Sequence, residues 1–136
     1  MGLKTDGHWF LDDQGRALLL RGVNVGGSSK TPTGCRPRDA ADPSNATAAS
    51  FIGRPFPLEE ADEHFGRLRH WGFNIVRLLT TWEAIEHAGR GVHDEAYLEH
   101  FAAIVRKAGD HGLYVFVDPH QDAWSRFSGG DGAPAW

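Results

Sequence analysis

Three apolar runs divide this chain, and a burst of polar residues follows each one. Ala17 to Val25 leads into Gly26-Gly27-Ser28, Asn74-Ile-Val-Arg-Leu-Leu79 into Thr80 to Glu86, and Leu113 to Val117 into Asp118-Pro-His-Gln-Asp122. Between successive runs lie stretches of helical spacing. Leu58, Ala61, Phe65, Leu68 and Trp71 recur every three or four residues, and so do Tyr97, Phe101, Ile104 and Ala108. Short buried strands alternating with amphipathic helices imply parallel βαβ units. Polar chemistry after every strand implies a site built from βα loops on one face.

Local signals bound these elements. Pro57-Leu58-Glu59-Glu60 has the proline and acids of a helix start, and Gly72 closes that helix. Asp94 is placed to cap the second helix, which His111-Gly112 ends. Upstream, His8 to Leu11 and the run from Ala17 flank the turn residues Asp12-Asp13-Gln14-Gly15, so a β-hairpin is expected over 8–20. Leu18-Leu19-Leu20 is continuous, which favours burial on both faces. Residues 26–56 show no clear period and read as a long βα loop. Thr80 to Val92 reads as a connecting loop. The fold class is therefore α/β: about three strands and two helices of a (β/α)8 barrel, preceded by a short hairpin. A doubly wound sheet is the runner-up, without a G-x-G-x-x-G or Walker pattern after the first strand.

A barrel needs about 250 residues, and this chain has 136. Residues 1–136 are thus read as an incomplete catalytic domain, with βα units from residue 17 onward. A partial barrel is expected to be marginally stable, because a sheet edge is unpaired and apolar faces are uncovered.

Composition excludes several classes. The formal net charge is −4 with basic residues dispersed, which does not suit nucleic acid. Cys35 is the single cysteine, so no intrachain disulfide forms. The N-terminus MGLKTDGHWF lacks the apolar core of a signal peptide, and no stretch has the length of a transmembrane span. A cytoplasmic location is the expectation. Asn45-Ala46-Thr47 has the glycosylation pattern, read as a chance match.

Candidate chemistry concentrates at the strand ends. Arg77, inside an apolar strand, needs an anionic partner, and a catalytic carboxylate is one candidate. Asp118, His120 and Asp122 could bind hydroxyls, hold a metal, or supply a base with its orienting partner. Asp118, deepest in the strand, reads as structural. Trp82, Trp124 and Trp136 lie in polar loops, where flat indole faces suit sugar rings, while Trp9 and Trp71 read as core. Glu83 and Glu86 read as a solvated helical turn.

Several segments taken in order resemble glycoside hydrolase family 5: Leu20-Arg-Gly-Val-Asn24, then Asn74-Ile-Val-Arg77-Leu with Trp82-Glu83, then Asp118-Pro-His120-Gln-Asp122. Gly26-Gly-Ser-Ser-Lys30-Thr-Pro32 and Asp122-Ala-Trp-Ser-Arg-Phe-Ser-Gly-Gly130 are most similar to its endoglycoceramidase and steryl β-glucosidase branch. The resemblance implies a (β/α)8 barrel that cleaves β-glucosidic bonds with retention, needing no metal or cofactor. It implies that Arg77 supports the nucleophilic carboxylate, that His120 lies near the sugar in the −1 subsite, and that Asp122 binds glucose hydroxyls. Lys30, Trp82 and Trp124 are implied to line the cleft. The implied partner is a glucosylated lipid or another β-glucoside, with peripheral membrane contact in a full-length protein. Sterol and ceramide aglycones remain open.

Retention requires an acid/base and a nucleophile about 5–5.5 Å apart. In the family these two Glu follow the fourth and seventh strands, and no residue here matches either. The catalytic pair is therefore expected to be absent and the 136-residue chain inactive alone. A metal-dependent barrel hydrolase using Asp118, His120 and Asp122, and a non-catalytic sugar-binding remnant, are the alternatives.

Overall fold

The structure is a computed structural model, and it describes residues 2–35, 41, 42, 44 and 46–136. Asn45 of the glycosylation pattern lies outside the described residues, as does part of the 26–56 loop. The elements are β1 (Lys4–Asp6), β2 (Trp9–Leu11), β3 (Gly22–Val25), α1 (Ala61–His70), β4 (Ile75–Thr80), α2 (Trp82–Glu86), α3 (Glu95–Asp110) and β5 (Tyr114–Pro119), with 3-10 turns at Leu58–Glu60 and Arg126–Ser128.

β3, β4 and β5 form a parallel sheet in sequence order. Asn24 lies beside Arg77 and Arg77 beside Phe116, while Leu79 aligns with Asp118. Side chains alternate across a strand. Val76 and Leu78 therefore face the helices, where they pack with Ala61, Phe65, Ile104, Ala108 and Leu113 in the main core, with Val25 and Val115 against it. The opposite face carries Asn24, Arg77 and Phe116 along a shallow groove. One face thus holds the fold together and the other is left for chemistry. Gly22 and Gly26 bring β3 close to β4, since a Cβ on Gly26 would stand 2.5 Å from the Leu79 Cβ and one on Gly22 would stand 2.6 Å from the Ile75 carbonyl oxygen.

Both long helices form where their apolar stripes place them. Asp94 caps α3 by accepting from the Tyr97 N–H at 2.9 Å. Gly72 follows α1 at φ +88°, a left-handed angle that glycine adopts without a Cβ clash.

Several expectations change. The regular antiparallel pair is β1 with β2; across the 12–15 turn the expected hairpin is reduced to a Leu11–Ala17 bridge, with the Leu18 N–H donating to the Phe10 carbonyl at 2.7 Å and the Asp12 N–H to the Arg16 carbonyl at 3.0 Å. Asp12 organises the 12–16 turn by accepting from the Gln14 and Arg16 N–H groups. Leu18 to Leu20 form no strand, and Leu19 is 65% exposed. That segment is held beneath the sheet by Asn74, which donates to the Leu19 carbonyl and accepts from the Arg21 N–H. Trp9 and Trp71, read as core, are 58% and 63% exposed. Trp71 follows α1 at the end of its apolar stripe, and Trp9 is on a two-stranded ribbon with no third layer over it.

Thr80 to Val92 contains helix α2, capped by the Thr81 hydroxyl, which accepts from the Ala84 N–H at 3.1 Å. The described part of the 26–56 loop is anchored as well. Phe51 is fully buried with Ala49, Ala84 and Tyr97 in a second cluster, edge-on to the Tyr97 ring. Arg54 donates to the carbonyls of Thr31 and Pro32.

Candidate functional site

At the C-terminal ends of the three parallel strands, polar side chains form one continuous hydrogen-bonded chain. Arg77 projects from the middle of β4. Its Nη1 donates weakly to Asn24 Oδ1 at 3.4 Å and its Nη2 pairs with Asp118 Oδ2 at 2.8 Å. Asp118 thus neutralises the guanidinium, the structural role its depth in β5 implies. The Arg77 partner seen here is Asp118, a residue of the neighbouring strand.

His120 is the hinge of the chain. Its N–H donates to the Thr80 carbonyl at 2.8 Å, continuing the strand ladder and fixing the ring. Nδ1 lies 2.9 Å from Asp118 Oδ2, and Nε2 lies 2.9 Å from Asp122 Oδ2. A neutral imidazole donates from one nitrogen only, so both carboxylates cannot be satisfied by the neutral ring. Lys30 supplies the missing positive charge for Asp122, with Nζ 2.5 Å from Asp122 Oδ2 and 3.2 Å from Asp131 Oδ2. Lys30 comes from the β3 loop, Asp122 and Asp131 from the β5 loop. Backbone bonds exchanged between Asp122 and Asp131, at 3.0 and 2.8 Å, fold that loop back on itself.

The charges shift one another. The Asp122 carboxyl is held below the ordinary 3.8 by its hydrogen bond from Lys30 and then by His120. The Lys30 ammonium is held above the ordinary lysine range, mainly by Asp122 and also by Asp131. Asp62, bound by Lys107 and His111 on the helical side, is likewise lowered. A lowered folded-state value means that the unfolded chain takes up the proton first on acidification. The stabilisation from Asp122 and Asp62 is present above their ordinary value and is lost as pH falls through the folded value. Thermal midpoints measured against pH should fall below about pH 4, and Asp122→Asn should flatten that fall. Glu83 acts in the opposite sense. Burial pushes its carboxyl above the ordinary 4.5 against the pull of Arg126, so its contribution weakens as pH rises from that value.

Glu83 is not a solvated turn residue. It is 1% exposed, and both of its oxygens accept from Arg126 Nε, at 2.8 and 3.0 Å. Glu86 accepts instead from the Trp82 indole N–H and the Gly91 N–H. Trp82 is the centre of three indoles. Trp82 meets Trp136 edge-on at 5.4 Å and Trp124 edge-on at 6.4 Å, and Trp136 donates to the Glu86 carbonyl at 2.7 Å. Trp124 and Ala123 both adopt positive φ, +78° and +47°. That strained backbone presents an indole that is 59% exposed, an arrangement that clusters at ligand sites.

The structure therefore joins Lys30, Arg77, His120 and Asp122 in one network and gathers Trp82 with Trp124 beside Trp136. Sequence reasoning missed Asp131, which was hidden in a Gly-rich loop, and the Glu83–Arg126 pair, whose members are far apart in sequence. His120, Asp122 and Asp131 each place a ligand atom within 4.8 Å of the others, a spacing compatible with a metal ion. The Lys30 ammonium contacts two of those three carboxyl and imidazole groups, and so already meets the electrostatic demand of the cluster.

Helices on one face of a parallel sheet, with charged and aromatic loops gathered at the strand C-termini, form the N-terminal part of a (β/α)8 barrel. The model of the cellulase family (glycosyl hydrolase family 5) matches residues 38–134, and the chain belongs to that family. A glucosylceramidase of Rhizopus delemar is 48% identical over 98% of this chain and 20% of its own length. An ergosteryl-beta-glucosidase of Saccharomyces cerevisiae is 39% identical over 98% of this chain and 18% of its own. The crystal structure of Cryptococcus neoformans sterylglucosidase 1 with tris superposes with a TM-score of 0.90 at 42% identity, covering 98% of this chain and 19% of that one. The chain thus spans about a fifth of the length of the relatives it matches.

Proposed function

We propose that this chain forms the glucose-binding wall of a retaining β-glucosidase acting on glucosylated lipids, steryl glucosides or glucosylceramides. The observation that carries this reading is the unbroken chain Arg77–Asp118–His120–Asp122–Lys30, in which the Asp122 carboxylate has 57% of its side chain exposed. Asp122 offers acceptors and Lys30 a further ammonium donor, the pairing that a vicinal hydroxyl needs. Exposed indoles nearby suit the apolar face of a pyranose. Relatives named for glucosylceramide and for an ergosteryl glucoside support the lipid-linked substrate. Among the described residues no helix is long and apolar enough to cross a membrane. A cytoplasmic protein that meets its lipid at the membrane surface is the corresponding cellular reading.

In this reading the chain binds and orients the glucose unit but does not cut the bond. Asp118, Asp122 and Glu83 are each committed to a cation, so none is poised as nucleophile or proton donor across a glycosidic oxygen. Methyl β-D-glucoside titrated into the purified chain should perturb the tryptophan fluorescence saturably. The same preparation should leave steryl glucoside, glucosylceramide and 4-nitrophenyl β-glucoside intact. Measurable turnover would overturn the division of labour, and a folded chain blind to the glucoside would overturn the sugar site. The second reading is a metal-dependent hydrolase, resting on the close spacing of His120, Asp122 and Asp131. Elemental analysis after dialysis against zinc or manganese separates the two, because stoichiometric metal retained by the chain requires Lys30 to be displaced.

A further inference from the structure

We propose that Asp131 is a positioning residue that anchors the Lys30 ammonium from the buried side, so that Lys30 and Asp122 meet a sugar hydroxyl as a fixed donor–acceptor pair. The inference rests on the glucose-binding reading of that site.

The two carboxylates that hold Lys30 differ in setting. Asp122 is exposed and shares one oxygen, Oδ2, between Lys30 and His120. Asp131 is 5% exposed, and its Oδ2 faces Lys30 at 3.2 Å. Its Oδ1 is buried without a hydrogen-bond partner among the described residues. Burying a carboxylate is costly unless a charge compensates it, and Lys30 is the cation in contact. A flexible lysine stem costs rotamer entropy to hold in one place. An exposed carboxylate alone holds such a stem poorly, because surface pairs are weak. The buried partner makes the difference: moving the ammonium away from Asp131 would strand a desolvated anion, so the lysine is restrained.

The backbone around Asp131 is built to keep it there. Its N–H and carbonyl pair with those of Asp122. Gly130 leaves no room for a side chain, since a Cβ would stand 1.7 Å from the Asp122 carbonyl oxygen, and Gly132 adopts φ +120° against Gln121. Loop closure therefore delivers both carboxylates to one ammonium. An ammonium has three N–H donors. Two point to Asp122 and Asp131, and the third is available to a ligand on the exposed side.

The test is a double-mutant cycle in the 136-residue chain with Asp131→Asn, Lys30→Met and the pair together. Two readouts are taken: affinity for methyl β-D-glucoside, and the titration of the Lys30 ammonium by 15N NMR. Asp131→Asn should weaken glucoside binding about tenfold, the loss of one hydrogen bond to a charged group, and should lower the Lys30 titration midpoint. In the Lys30→Met background Asp131→Asn should change affinity no further, because residues acting through one partner are not additive. Asp131→Ser serves as a second variant if the Asn form does not fold, with circular dichroism as the check. A further tenfold loss in the Lys30→Met background would overturn the proposal, and so would an unchanged Lys30 titration in Asp131→Asn. If the wild-type chain binds no glucoside, the substrate reading fails, and the NMR arm alone decides whether Asp131 positions Lys30.

Discussion

Glu83→Ala should cost about 3–5 kcal/mol of stability, the usual penalty for breaking a buried ion pair from one side. Natural domains are stable by only about 5–15 kcal/mol, so the variant should unfold at much lower urea or not accumulate at all. The physical reason is the burial of both partners. Arg126 Nε lies 2.8 Å from Glu83 Oε1, with both side chains within 2% of full burial. Removing the carboxylate takes away a buried anionic partner that accepts from the Arg126 Nε. The damage should also reach the candidate site, because Glu83 is on α2, Arg126 is in the β5 loop, and the Glu83 N–H donates to the Gly132 carbonyl at 2.7 Å. That loop carries Asp122, Trp124 and Asp131. Glu83→Gln keeps an acceptor of the same shape and should lose less. Glu63→Ala, which removes an exposed partner of Arg67, should change the urea midpoint little, as surface pairs generally do. Equal midpoints for Glu83→Ala and Glu63→Ala would show that the buried pair does not hold the loop.

The Glu83 pair also marks where the sequence stops being legible. Helices α1 and α3 could be read directly, because amphipathic spacing over ten or more residues carries a strong signal and Asp94 and Gly72 punctuate it. β4 and β5 were legible as β-branched runs of strand length. Of the β1–β2 ribbon, His8 to Leu11 was read as a strand and contains β2, while β1, three polar residues without periodicity, gave no signal. The exposed positions of Trp9 and Trp71 were misread because apolar character favours burial only where a neighbouring layer exists to cover it. Within the site, Arg77 was singled out as a charge inside an apolar strand, His120 and Asp122 from the end of one, and the tryptophans from polar loops that follow strands. Lys30 came from family resemblance. Asp131 and Arg126 escaped both routes, because what they do depends on how the β5 loop closes. No local pattern encodes that closure beyond glycines at 130 and 132.

His120→Ala should separate binding from stability. The ring touches Asp118 on one side and Asp122 on the other, at 2.9 Å each. Its loss removes a partner from two carboxylates at once. In the glucose-binding reading the imidazole also meets the sugar, and a hydrogen bond involving a charged group contributes about 1.5–3 kcal/mol, so affinity for methyl β-D-glucoside should fall about tenfold or more. Fold stability should hold, because the strand bond from the His120 N–H to the Thr80 carbonyl belongs to the backbone and Arg77 still neutralises Asp118. His120→Gln restores an amide donor toward one carboxylate and should recover part of the affinity. Glu83→Ala predicts the reverse pattern, stability lost first and binding lost with it. Calorimetric titration beside urea denaturation distinguishes the two. Wild-type affinity in His120→Ala would move the sugar away from the strand ends and onto the Trp82–Trp124–Trp136 corner, where the exposed indole faces alone would have to hold it.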